Sequence, residues 1–221
     1  MDHSAIHAVL TGDIVNSTQL QPATEKRLLE ELERILQPYK FEFFRGDSFQ
    51  AFIEEPGKSL QVALCCRTAA IGMTTNVAVN GMTASDPLPG SDVRISIGIG
   101  GVIPPVKTLG AAKGSAFLLS GRSFDEMQAA GTRLSIVTEN EIANIGLESM
   151  ADYINALFKG MTAKQAEVIY ALLKGETQQQ VAADLGKSKS TISQIVHSGR
   201  WAEIEKLLGQ YEKLLKHLLN Q

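Results

Sequence analysis

The hydrophobic period changes near residue 143, and that change restricts the fold more than any other feature of the chain. Before it, short runs rich in Ile and Val alternate with stretches of helical spacing. After it, only helical spacing remains. Mixed periods require helices laid on a sheet, whereas an uninterrupted helical period builds an all-α part.

The first run, AIHAVLTGDIV (5–15), reads as a buried strand ending near Asp13. Leu28, Leu29, Leu32, Ile35 and Leu36 then fall on one helical face, and Pro38 closes that helix. KFEFFRGDSFQAFIEE holds two aromatic runs with a corner at Arg45, Gly46 and Asp47, a hairpin signal. A mostly buried helix is expected over 58–73 and a loop over 81–92. In VRISIGIGG, apolar Val93, Ile95, Ile97 and Ile99 alternate with Arg94, Ser96, Gly98 and Gly100, which predicts a strand with one face in the core. A third helix over 115–131 and a strand over 132–138 complete the series. The expected fold class is α+β, an antiparallel ferredoxin-like sheet with helices on one face, followed by a helical domain. The divisions are 1–140, a connecting helix over 141–160, and 161–221.

The corner of the hairpin raises a chemical question. A charge among aromatic residues costs several kcal/mol unless it is paired or bound to a metal. If the first strand and the hairpin are neighbours, Asp13 and Asp47 lie about 5 Å apart on adjacent strands. Two such carboxylates are tolerated when one is protonated or when a divalent cation sits between them, and Mg²⁺ suits a carboxylate pair with phosphate oxygens. Asn16, Ser17 and Thr18, in the polar turn after the strand, would offer hydroxyls and backbone N–H groups to those phosphates. The plainer alternative makes Asp13 a capping residue, Asp47 a turn residue and Arg122 their ion-pair partner.

LTGDIVNST and FFRGDSFQAF resemble the two metal-binding segments of class III nucleotide cyclases, and GSAFLLSGR (114–122) is similar to the cyclase stretch that carries an Asn and, four residues on, a catalytic Arg. The resemblance implies a cyclase-like fold, metal ligation by Asp13 and Asp47, and Arg122 stabilising charge on a transferring phosphoryl group. Leu118 stands where the Asn would stand, Phe43 where a base-selecting Lys is expected, and Leu109 near the position of its partnering Asp. A purine-reading site is therefore incomplete. The N-terminal two thirds also resembles SatD-like bacterial proteins, which share TGDIV and RGDSFQ.

Residues 161–201 carry a second pattern. Thr162 and Thr177 are placed to cap two helices, Gly175 stops the first, Gly186 turns the chain, and a third helix starts after Ser188 or Ser190. Small Ala182 permits close approach, while Ile192 and Val196 anchor the third helix. Lys187, Lys189, Ser190, Thr191, Ser193, Gln194 and His197 are left outward, where they reach phosphates and base edges of DNA. The segment resembles the helix-turn-helix of response regulators and sigma-factor region 4. Beyond it, Ile204, Leu207, Leu208, Tyr211, Leu214, Leu215, Leu218 and Leu219 form a wide stripe for packing back or for pairing with a second chain as a homodimer.

The charge split suits two parts with different partners and, equally, a chance scatter of surface charge. Residues 1–160 carry 13 Lys and Arg against 18 Asp and Glu, whereas 161–221 carry 8 against 6, so the net charge of −3 conceals opposite signs. No apolar run approaches the roughly 18 residues of a membrane span, and polar residues interrupt the N-terminal run, so no signal peptide is expected. Cys65 and Cys66 are adjacent and suit a reducing cytoplasm, as packing residues. The function expected is a cytoplasmic DNA-binding regulator with a nucleotide- and metal-binding sensor domain. A phosphoryl-transfer enzyme of altered base selectivity and a degenerate dimerisation scaffold are the alternatives.

Overall fold

The computed structural model describes residues 5–44, 46–73 and 91–219. Strand β1 (Ile6–Val15) leads through a single 3-10 turn to α1 (Pro22–Leu36), β2 (Lys40–Phe44), β3 (Ser48–Ile53) and α2 (Ser59–Gly72). Then follow β4 (Asp92–Gly101), α3 (Ser115–Ala130), β5 (Leu134–Thr138) and α4 (Glu141–Lys159). The chain closes with α5 (Ala163–Leu173), α6 (Gln178–Asp184), α7 (Lys189–Ser198) and α8 (Trp201–Leu219). The expected loop over 81–92 lies outside the described residues except for Ser91 and Asp92, and Asp92 already belongs to β4.

The sheet order is β2-β3-β1-β4-β5, with β1 central and antiparallel to both β3 and β4. The expectation of an antiparallel sheet is corrected at β5, which runs parallel to β4. The cause is topological: α3 carries the chain back along the sheet between the two strands, and a helical crossover returns the next strand in the same direction. The expectation of helices on one face is corrected as well. Ala8, Leu10, Ile14, Val93, Ile95, Ile97, Leu134 and Ile136 point into the main core with α1, α2 and α4. On the opposite face Val9 and Val102 meet Ala116 of α3.

Both faces of β4 are thereby covered, so the polar side of its alternation is not a solvent face. Its small residues serve a close approach. A Cβ built on Gly98 would stand 2.3 Å from the Ala116 carbonyl oxygen and 2.4 Å from the Ser120 nitrogen, so α3 rests on bare backbone there. A chain of hydrogen bonds fixes the contact: Gln50 Nε2 donates to Thr11 Oγ1, Thr11 to Ser120 Oγ, and Ser120 to the Phe117 carbonyl.

One apolar cluster continues from the sheet through α1, α2 and α4 into α5–α8. α4 does more than connect, since it buries Ala143, Leu147, Ala151, Ile154 and Phe158. Polar bonds among the described residues fasten the later helices to the earlier ones, including Tyr170 OH to Glu31 at 2.5 Å, Gln61 Nε2 to the Leu173 carbonyl at 2.6 Å, and Tyr211 OH with Ser59 Oγ at 2.6 Å. Cys65 and Cys66 are buried in this core as free thiols; burial pushes Cys65 up to about 12 and Cys66 well above its ordinary value, so neither is a reactive thiolate.

Candidate functional site

The hairpin between β2 and β3 turns at Gly46, whose φ of 93° is a left-handed conformation that favours glycine. Arg45 lies outside the described residues. Asp47 directly precedes β3, its carbonyl accepts from Ile14 N at 3.0 Å, and Asp13 sits opposite Ser48 in the β1–β3 register. The two aspartates thus lie at the same end of neighbouring strands.

Asp47 is held from the turn after β1. Ser17 Oγ donates to its Oδ2 at 2.6 Å, and Ser48 Oγ stands 3.4 Å from its Oδ1. Of the expected phosphate contacts, Ser17 is therefore already engaged by the carboxylate. Asn16 takes a left-handed conformation at φ 58°, and it and Thr18 are exposed.

Asp13 has a different neighbour. Arg94, its cross-strand partner on β4, brings Nε to 3.6 Å from Asp13 Oδ1. That is an ion pair beyond hydrogen-bond length, and Asp13 Oδ1, Arg94 Nε and Arg94 Nη1 are all buried with no hydrogen-bond partner among the described residues. Burial raises the Asp13 carboxyl above its ordinary value; Arg94 opposes the rise, Asp47 adds to it, and Arg133 opposes it. An orphaned, desolvated carboxylate oxygen beside a second carboxylate fits a divalent cation. Among the described residues no group of three or more His, Cys, Asp or Glu could hold a metal ion, so a cation here would take its remaining ligands from water and from its own anionic partner.

The raised carboxyl has a stability consequence. The folded state binds a proton more readily than the unfolded chain, so stability falls as pH rises from the ordinary carboxylate value through the raised one, by up to about 1.4 kcal/mol per pH unit. Melting curves of the wild type and Asp13→Asn between about pH 3.5 and 6 should differ in slope, with the variant gaining relative stability toward higher pH. Parallel slopes would contradict the assignment.

Arg122 is not brought to this pair within one chain. It lies exposed on α3, four residues from Leu118, while the sheet-facing side of the helix carries Ala116, Ser120, Ser123 and Met127. The cation that reaches Asp13 is Arg94, which the alternating pattern of β4 disguised as a solvent position. At the other two positions where the sequence resemblance expects a base contact, Phe43 packs 5.9 Å from the Phe49 ring and Leu109 is buried, its N–H held by Glu42 Oε1 at 2.8 Å. A cavity of about 800 Å³ opens at the opposite end of the sheet, beside His7, Tyr39 and Phe52, away from the carboxylates.

The second set of expected residues lies on the later helices. Thr162 and Thr177 each form a capping box, with Gln165 and Gln180, and Ser188 caps α7 through Thr191 N. Gly186 has φ 59° in the turn between α6 and α7. Ile192 and Val196 are buried, whereas Lys187, Lys189, Ser190, Thr191, Ser193, Gln194 and His197 are all exposed.

No protein-family model and no curated protein matches the chain. Among solved structures, one of a bacterial light-regulated adenylyl cyclase aligns over 60% of this chain and 43% of its own, with 19% identity and a TM-score of 0.39. A second structure of such an enzyme gives 14% identity and a TM-score of 0.35 over 61% of this chain. This chain spans less than half the length of either structure, and at these scores the likeness carries no weight for activity. No described helix is long and apolar enough to cross a membrane.

Proposed function

We propose that this chain is a cytoplasmic DNA-binding regulator. Residues 161–221 form a helix-turn-helix domain, α7 enters the DNA major groove, and residues 1–140 form a ferredoxin-like, cyclase-like sensor that holds Mg²⁺ and a nucleotide or other phosphorylated ligand at Asp13 and Asp47. The observation that carries the reading is the face of α7: every side chain expected to touch DNA is exposed, while the residues between them anchor the helix. Lys187 in the turn before that helix and Lys189 at its first position supply phosphate contacts, and Ser190, Thr191, Ser193 and Gln194 supply short polar groups for base edges. The continuous apolar cluster gives ligand occupancy a packed route from α4 to the reading helix. A homodimer would double the contacts of a modest domain charge.

The carboxylate pair would also serve a phosphoryl-transfer enzyme. Leu118, Phe43 and Leu109 at the base-reading positions, and Arg122 turned to solvent, favour binding over turnover. Fluorescence anisotropy of a labelled mixed-sequence duplex tests the DNA reading. Binding is expected at low salt and should weaken steeply as salt rises. No anisotropy change at low salt, with or without Mg²⁺ and nucleotides, would overturn it.

A further inference from the structure

We propose that Arg94 is the built-in counter-ion of Asp13, holding that carboxylate when no divalent cation is bound and yielding it when one binds. The inference rests on reading Asp13 and Asp47 as a cation site. Arg94 and Asp13 are directly opposite in the β1–β4 register and share the sheet face covered by α3. Their side chains are only 12% and 17% exposed, so bulk water does not stand in for either partner. Yet the contact is loose. Nε is 3.6 Å from Oδ1, and Nε, Nη1 and Oδ1 lack hydrogen bonds among the described residues.

A guanidinium seated by structure alone uses its planar fork and makes two parallel bonds to the carboxylate. Arg67 and Asp92 do so elsewhere in this chain, at 3.1 and 2.7 Å. Arg94 is instead attracted by charge without being locked by geometry. It also has a second seat, because its guanidinium carbon lies 5.9 Å from the centroid of the Phe124 ring on α3, within cation–π range. Asp47 and Arg133 are the other charged groups that act on Asp13. A divalent cation on Asp13 would stand within a few ångströms of the guanidinium, where like charges repel strongly, so the two cations exclude each other. Cation binding therefore includes the displacement of Arg94, and the freed N–H groups become donors for the anionic partner of the metal.

The test is a titration with Mn²⁺ alone, read by the electron paramagnetic resonance signal of the free ion, on wild type, Arg94→Met, Arg94→Gln, Arg94→Lys and Asp13→Ala. Circular dichroism identifies the folded variants. Removing the guanidinium should tighten Mn²⁺ binding by about tenfold or more in whichever of the Met and Gln variants folds. Arg94→Lys keeps the competing charge and should stay near wild type. Binding that appears only after the charge is removed would support the proposal equally. If wild type binds Mn²⁺ through Asp13 but the uncharged variants bind no tighter, the counter-ion role is wrong and the cation site stands. If neither wild type nor variants bind, or Asp13→Ala binds as well as wild type, the cation site itself fails and the proposal falls with it.

Discussion

Replacing Arg67 by alanine is expected to destabilise the fold by about 3–5 kcal/mol, the range for breaking a buried ion pair from one side. Its side chain is 2% exposed and that of Asp92 is 15% exposed. Nε and Nη2 take both oxygens of Asp92, Nη1 donates to Asn155 Oδ1 at 3.2 Å, and the guanidinium lies 4.6 Å from the centre of the Phe158 ring. Asn155 passes the connection to the Leu134 carbonyl of β5. One guanidinium therefore ties α2 to the start of β4 and to α4. Its loss leaves Asp92 half-satisfied, with Val93 N as its remaining hydrogen-bond donor among the described residues. Urea denaturation should show the loss directly, and the melting temperature should fall by about 10 °C for a chain of this size. Adding Asp92→Leu to the alanine variant should recover part of the loss, since the stranded carboxylate accounts for much of it. A loss below about 1 kcal/mol would contradict this account of the junction.

Charge reversal of the reading helix should have the largest functional effect. Lys187→Glu with Lys189→Glu removes two cations from the turn and first residue of α7 and places two carboxylates against the phosphate backbone. Duplex affinity at low salt should fall by about a hundredfold or more, and the salt slope should decrease by about two. Both lysines are exposed, so the fold should be unaffected. The same charge change at Lys206 and Lys213 on α8 should leave affinity within a few fold. Equal losses from both pairs would mean that general charge, and not the α7 face, carries the binding.

Much of the helical part is legible in the chain because its signals are local. Thr162, Thr177 and Ser188 cap the helices they precede, and Gly186 marks its turn by a backbone conformation that few other residues adopt. The sheet is less legible because burial of β4 is decided at a distance. Ser96, Gly98 and Gly100 look like a solvent face, yet small residues are what allow α3 to lie on the strand. Arg94 is hidden for the same reason: its position in the alternation is polar, and only the β1–β4 register reveals Asp13 opposite it. Asp92 reads as loop, but its pairing with Val15 of β1 makes it the first residue of β4, where Arg67 holds its carboxylate. Arg122 follows the motif that named it, yet the helix phase set by Ala116, Ser120 and Ser123 turns it away from the sheet.

The central claim is that ligand occupancy at Asp13 and Asp47 changes DNA binding by α7. It is tested most directly by duplex anisotropy with Mg²⁺ and each nucleoside triphosphate in turn, on wild type and Asp13→Ala. The account predicts that at least one Mg²⁺–nucleotide shifts the wild-type DNA dissociation constant by about fivefold or more, as coupling free energies of this kind do. The shift should vanish in Asp13→Ala. A dissociation constant that no nucleotide moves, or one that moves equally in the variant, would contradict it.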